Sequence, residues 1–241
     1  MTAPATDLLL QATDLASGYG RAQILYDVGL ELRRGEVVAL LGRNGAGKST
    51  TLKTLMGLVR ARQGQVTLLG RRIEGLSPFR ICRLGLGYVP EERRVFAGLT
   101  VMENLEVARR PARDGAPTWT PQRLFDLFPN LGRMRDRRGG EMSGGEQQML
   151  TISRTLMGNP LAVLLDEPSE GLAPVIVDEM AKAIAELKRE GLTILLSEQN
   201  LRFATAIADR AAIIERGTIR FTGTMAELFA NAEVREQYLA V

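Results

Sequence analysis

The run VVALLGRNGAGKST, residues 37–50, constrains this chain more than any other stretch. Five apolar residues, Val37–Leu41, read as a central parallel strand and stop at a glycine-rich turn. A helix-like pattern from Lys48 to Leu58 follows, with Leu52, Leu55 and Met56 on one face. Strand, turn and helix together carry G-x-x-x-x-G-K-[ST] at Gly42, Gly47, Lys48 and Ser49. The residue types suit a dense anion. Glycines at 42, 45 and 47 keep side chains out of the way, so backbone N–H groups can cradle a polyphosphate. The candidate cradle is Gly42, Arg43, Asn44, Gly45, Ala46, Gly47, Lys48, Ser49 and Thr50. The helix start adds the positive end of its dipole. Lys48 is expected to reach the β- and γ-phosphates, and the Ser49 hydroxyl to bind Mg²⁺. The plainer reading, a glycine turn capping a helix, leaves Lys48 and Ser49 after a buried strand unexplained.

The chain's 241 residues suffice for one large α/β domain or two small ones. Its one cysteine, Cys82, excludes an internal disulfide and fits a reducing compartment. The apolar runs are strand-length, far short of a bilayer span. The first residues lack the basic start of a secretion signal, so a protein kept in the cytoplasm is expected. The net charge of +3 says little about partners. Arginines cluster at 71–72, at 109–110, and at 133, 135, 137 and 138. They read as a solvated face, or as a surface for nucleic acid or a membrane-embedded partner. Histidine is absent, which removes the commonest general acid–base side chain.

Strand-like pieces are expected at 8–15, 23–32 and 65–69 in the opening third. The Pro-, Gly- and Arg-rich segment 108–140 holds a helical piece, 121–131, and reads as part of an inserted helical subdomain. Ser143 and Glu146 form a capping box before the next helix, which Gly158-Asn-Pro160 stops. LAVLLDE (161–167) and TILLS (193–197) read as buried strands. Between them, Pro174 opens a helix with Val177, Met180, Ile184 and Leu187 at helical spacing. A helix over 200–208, a hairpin over 211–223 and a helix capped by Thr224 complete the chain. The alternation argues for a mainly parallel sheet with helices on both faces.

Three further stretches carry chemistry. Asp166 and Glu167 stand where a strand emerges, and ligands of open parallel sheets sit at such carboxyl ends. If that strand neighbours the phosphate-loop strand, Asp166 can hold Mg²⁺ through water and Glu167 can polarise the attacking water. Alone, the pair reads equally as a solvated loop start. MSGGEQQ (142–148) is a helix start with two glycines just inside it, where each costs roughly 0.5–1 kcal/mol relative to Ala. Ser143, Gly144 and Gly145 are therefore candidates for close approach of an anion. A second phosphate-seeking helix end suggests ATP clamped between two chains. Tyr19, between Gly18 and Gly20, is a candidate for stacking on a base, although a tyrosine in a turn more often packs. In ILLSEQN (194–200) an apolar strand runs into polar residues that something must use.

GRNGAGKST, MSGGEQQ and AVLLDEP, in this order and spacing, resemble the Walker A, signature and Walker B motifs of ABC-type ATPase domains. The resemblance spans essentially the whole chain. It implies a P-loop NTPase (RecA-like) core, an N-terminal antiparallel β subdomain and an inserted α-helical subdomain over about 98–155. All 241 residues would form one ATPase domain. Two such domains would close head to tail on two ATPs, with Tyr19 stacking on adenine. Glu91, Ala173 and Gln199 stand where most members carry glutamine, aspartate and histidine. That pattern reads as a decayed site or as the habit of one branch. VPEERRVFAGLTVMENL (89–105), SGGEQQML, DEPSEGLAP, EQN and EVREQYL (233–239) resemble one ATPase subunit of branched-chain amino acid importers, which favours habit.

The resemblance implies that Glu167, Gln199 and Lys48 act on the γ-phosphate and that Ser49, Asp166 and Glu91 serve Mg²⁺. The implied partners are separate permease subunits, a second identical or related ATPase subunit and, indirectly, a periplasmic substrate-binding protein. The implied place is the cytoplasmic face of a bacterial inner membrane. An amide or urea importer and a soluble ABC ATPase acting on nucleic acid are the alternatives; no nucleic-acid partner is expected.

Overall fold

The computed structural model describes residues 7–239. The reading that no basic leader opens the chain concerns residues 1–6, outside this range. Three continuous apolar runs become wholly buried strands: β3 (Val37–Leu41), β7 (Ala162–Asp166) and β8 (Thr193–Glu198). They belong to a six-stranded sheet with β6 (Leu86–Val89) at one edge. A hairpin of β9 (Arg210–Glu215) and β10 (Thr218–Thr224) lies at the other. The order is β10-β9-β3-β8-β7-β6, parallel throughout except for β10.

A second sheet, wholly antiparallel, comes from the opening third. It has the order β2 (Ala22–Arg33), β1 (Leu8–Tyr19), β4 (Ala61–Leu68) and β5 (Arg71–Arg72). β1 runs four residues beyond the expected end at 15, because bulges near Leu15 and Ser17 keep it paired with β2 and β4.

Successive side chains of a strand leave opposite faces, so the six-stranded sheet divides the core in two. Val38 and Leu40 pack with Leu25, Leu52 and Leu55 on the side of the antiparallel sheet and α1 (Lys48–Leu55). Val37, Ala39 and Leu41 pack on the other side with Met180, Ile184 and Leu187 of α7 (Pro174–Arg189) and Phe203 of α8 (Leu201–Ile207). Truncating a fully buried leucine such as Leu40 to alanine would cost about 2–5 kcal/mol.

Between β6 and β7 the regular structure is helical: α3 (Val101–Glu106), α4 (Pro121–Leu127), α5 (Pro129–Arg133), a single 3-10 turn at Gly139–Glu141 and α6 (Gly144–Leu156). The expected helix over 121–131 is two helices. Pro129 has no N–H and forces Phe128 out of helical geometry, to φ −126 and ψ 78. The chain also forms α2 (Pro78–Leu84), which the expected elements omit, and it closes with α9 (Met225–Ala230) and α10 (Ala232–Leu239).

Candidate active site

Three strand ends meet where the phosphate loop begins. β8 lies between β3 and β7, with Leu41 beside Glu198 and Asp166 beside Ser197. The acidic strand is therefore not the direct neighbour of the phosphate-loop strand; the ILLSEQN strand separates them. Its placement explains the abrupt polarity of that sequence. Ser197 Oγ donates to Asp166 Oδ1 at 2.7 Å and accepts from Glu167 N at 3.1 Å. The Glu198 carboxylate, though buried, accepts from the backbone N–H groups of Ser169, Gln199 and Asn200, each at 3.1 Å. Burial nevertheless raises its pKa above the usual carboxylate range, against the pull of those bonds.

The loop from Gly42 to Gly47 takes conformations only glycine accepts readily, with φ 79 at Gly45 and φ 114 at Gly47. The turn of the β9–β10 hairpin braces it: Gly217 N donates to Ala46 O at 2.7 Å. Lys48 heads α1, only 3% exposed. Its Nζ donates to Gly42 O at 2.8 Å and Arg43 O at 3.2 Å, and meets Glu167 Oε1 at 3.1 Å. Ser49 sits half-buried in the same first turn.

Glu167 is the strained member of the site. It is 8% exposed, and its φ of 45 lies in a region that costs a non-glycine residue roughly 1–2 kcal/mol. With the neighbouring carboxylates ionised, its Oε2 is buried and has no partner. Glu170 can supply one. Its pKa is pushed up to about 7, first because its protonated form hydrogen-bonds Glu167, then by desolvation and by repulsion from Glu167, Glu91 and Glu198.

Asp166 is held on both oxygens, since Tyr88 OH donates to its Oδ2 at 2.9 Å. Burial, then the negative charge of Asp166, raises the Tyr88 pKa well above its ordinary value, so the phenol stays a donor. Glu91 follows β6 and is exposed; desolvation, then repulsion from Glu167 and Asp166, raises its pKa. Carboxylates that repel one another, beside an orphaned carboxylate oxygen, fit a divalent cation. Among the described residues no group of three or more His, Cys, Asp or Glu encloses a metal position.

The remaining sequence candidates divide. Gln199 stands exposed directly after β8, beside the Leu41 end of the phosphate loop. Tyr19 is 49% exposed at the end of β1, which is tied to α1 by a 2.8 Å hydrogen bond between the Ser17 and Thr54 hydroxyls. Ser143, Gly144 and Gly145 do open α6, with the capping box formed in both directions. The nearest side chains to Gly144 and Gly145 are Arg93 and Ile176, not the phosphate loop. Ala173 is exposed at the N-cap of α7. Sequence reasoning missed Tyr88, Ser197, Glu198 and Glu170. The polarity of Ser197-Glu198 was the available signal; nothing marked Tyr88.

Residues 25–170 match the family described as ABC transporter. The chain belongs to the ABC transporter family. Its ATP-binding relatives include the high-affinity branched-chain amino acid transport ATP-binding protein BraG of Pseudomonas aeruginosa, 44% identical over 96% of this chain and 99% of BraG. The lipopolysaccharide export system ATP-binding protein LptB of Haemophilus influenzae is 36% identical over 96% of this chain and 97% of that one. A solved ADP-bound ATP-binding cassette of an ABC transporter superposes with a TM-score of 0.81, at 25% identity, over 97% of both chains. As an ABC ATP-binding subunit, the chain is an ATPase that powers transport, built on the P-loop NTPase fold with an antiparallel N-terminal sheet.

Proposed function

We propose that this ABC ATPase drives the import of branched-chain amino acids, working as a head-to-tail pair beneath separate permease subunits at the cytoplasmic face of the inner membrane. The observation that carries the substrate reading is the 44% identity to BraG over nearly the full length of both chains. The Glu91, Ala173 and Gln199 pattern agrees with it.

The chemistry follows from the site. The loop 42–50 wraps the phosphates, and Tyr19 stacks on the base. Lys48 leaves Glu167 for the β- and γ-phosphate oxygens, which compete for the same ammonium. Glu167, released, orients and polarises the attacking water. Gln199 donates its amide to a γ-phosphate oxygen as a neutral imidazole would, without carrying a proton. When bound, Mg²⁺ supplies charge neutralisation at the phosphates, held by Ser49, with Asp166 and Glu91 acting through water. Gly144 and Gly145 offer their N–H groups, and Ser143 its hydroxyl, to the γ-phosphate held by the partner chain. A groove of 340 Å³ lined by Met56, Leu58, Tyr88, Ala108 and Thr155 suits an apolar permease segment.

A second reading, service to an exporter, has the LptB likeness in its favour. Affinity capture from detergent-solubilised membranes, followed by uptake of labelled leucine in a strain lacking this chain, separates the two. Recovery of an importer permease and loss of leucine uptake are expected. Recovery of an export complex, of an amide or urea permease, or of RNA without any permease, would sink the proposal.

A further inference from the structure

The loop after β6 carries a cation that the steps above leave unused. Pro90–Arg93 forms a tight turn in which Arg93 N donates to Pro90 O at 3.4 Å. Arg93 sits there at φ 58, a backbone state that a non-glycine residue keeps only when its surroundings impose it. Two side chains of α6 impose it. Thr151 Oγ1 donates to Arg93 O at 2.5 Å, and Arg154 Nη2 donates to Arg94 O at 2.5 Å.

The Arg93 side chain then reaches back across the front of α6. Its Nη2 donates to the carbonyl oxygen of Glu170 at 3.0 Å and lies against Gly171. Its Nη1 lies so close to Gly144 that a Cβ there would collide with it. A guanidinium has the wrong sign for a helix N-terminus, so the helix dipole does not hold it there. The Glu170 carbonyl holds it, and the bare backbone of Gly144 makes room. One side chain thus spans three segments: the Glu91 loop, the start of α6 and the loop after β7.

We propose that Arg93 is a positioning residue that locks Ser143–Gly145 and the 170–173 loop into one surface and ties that surface to Glu91. The proposal rests on the head-to-tail pairing proposed above. In such a pair both segments face the partner chain, while Glu91, two residues before Arg93, faces the chain's own nucleotide. A nucleotide that shifts the Glu91 turn therefore shifts the strut, and with it the surface offered to the second ATP site. Glycine at 144 serves the strut as well as the anion.

The test uses the full chain carrying Glu167→Gln, with Mg²⁺ and ATP, and follows dimerisation by sedimentation. The Glu167→Gln parent is expected to dimerise; a parent that stays monomeric at saturating ATP overturns the pairing itself. Adding Arg93→Ala should raise the protein concentration for half-dimerisation roughly tenfold or more, since in each chain the two segments of the pairing surface lose the bond that holds them in place before pairing. Arg93→Lys, which can still donate to Glu170 O, should recover part of that loss. With Glu167 intact, Arg93→Ala should lower kcat with little change in KM, and bring the Hill coefficient for ATP from about two towards one. Affinity of the monomer for a fluorescent ATP analogue should stay unchanged. Dimerisation and cooperativity equal to the parent's in Arg93→Ala would overturn the proposal alone. So would loss of monomer nucleotide binding in step with thermal stability and without rescue by lysine, because that would reduce Arg93 to a fold contact.

Discussion

Lys48 and Glu167 neutralise each other, nine-tenths buried, before any nucleotide arrives. Separating a buried pair leaves one charge uncompensated, so an incoming phosphate must replace what Lys48 gives up. Glu167→Gln removes that competition and the base together. Turnover should fall about a hundredfold or more, while the ATP dissociation constant stays equal or becomes smaller. Equilibrium titration beside a phosphate-release assay reads both; weaker ATP binding would contradict this account of the pair. Glu170 sets the pH response. Below about pH 7 its carboxyl is protonated and hydrogen-bonds Glu167, which occupies the oxygen that would face the attacking water. Above it Glu170 is ionised and Glu167 is free to act. Hydrolysis should therefore rise through neutrality in the parent and lose that step in Glu170→Gln. Gln199→Ala should lower the rate and keep the step, because an amide does not titrate in this range.

Among the described residues, three helices start with complete capping boxes: Thr100 with Glu103, Ser143 with Glu146, and Thr224 with Glu227. Hydrogen bonds from the Thr100 and Thr224 backbone, then from their hydroxyls, hold Glu103 and Glu227 below the usual carboxylate range. The sign follows from linkage: a depressed folded pKa contributes stability above the unfolded value of 4.5 and loses it as pH falls through the folded value. Thermal midpoints of the parent should drop between pH 4.5 and the lowered values more than those of a Glu103→Gln, Glu227→Gln double variant. Thr224→Ala alone should cost about 1 kcal/mol in denaturant unfolding at neutral pH. The Ser143 and Thr224 caps were legible because they are local, four residues long; the Thr100 cap was not expected, although its pattern is as local. β3, β7 and β8 were legible because strands buried on both faces are apolar throughout. β6 was not expected: it is four residues long, contains Gly87 and follows Gly85, too little pattern to read. The interleaving of β8 between β3 and β7 could not be read either, since pairing between strands more than 150 residues apart leaves no local trace. For the same reason the contacts of Tyr88 with Asp166 and of Arg93 with Glu170 were invisible, although every residue involved stood in plain view.

At the scale of the whole molecule, Leu58, Phe79, Phe96 and Val107 stand exposed. Leu58 also lines the 340 Å³ groove, whose wall includes Tyr88, the residue that donates to Asp166. Leu58→Glu is expected to leave folding and basal hydrolysis intact and to abolish recovery of the permease on capture; basal turnover reduced to the level of Glu167→Gln would count against the groove as a docking place. The position of β8 has a consequence of another kind, for the order in which the protein is made. β3 and β7 leave the ribosome before β8 does, yet they share no ladder until it slides between them. Ser197, which fixes both Asp166 and the backbone of Glu167, arrives on that same late strand. A nascent chain that has reached residue 190 carries the phosphate-loop residues and both acidic side chains, but not the strand that joins β3 and β7 into one sheet. The central strand thus acts as a clasp closed late in synthesis: the sheet that brings the phosphate loop and the acidic pair to one edge is continuous only once it is in place.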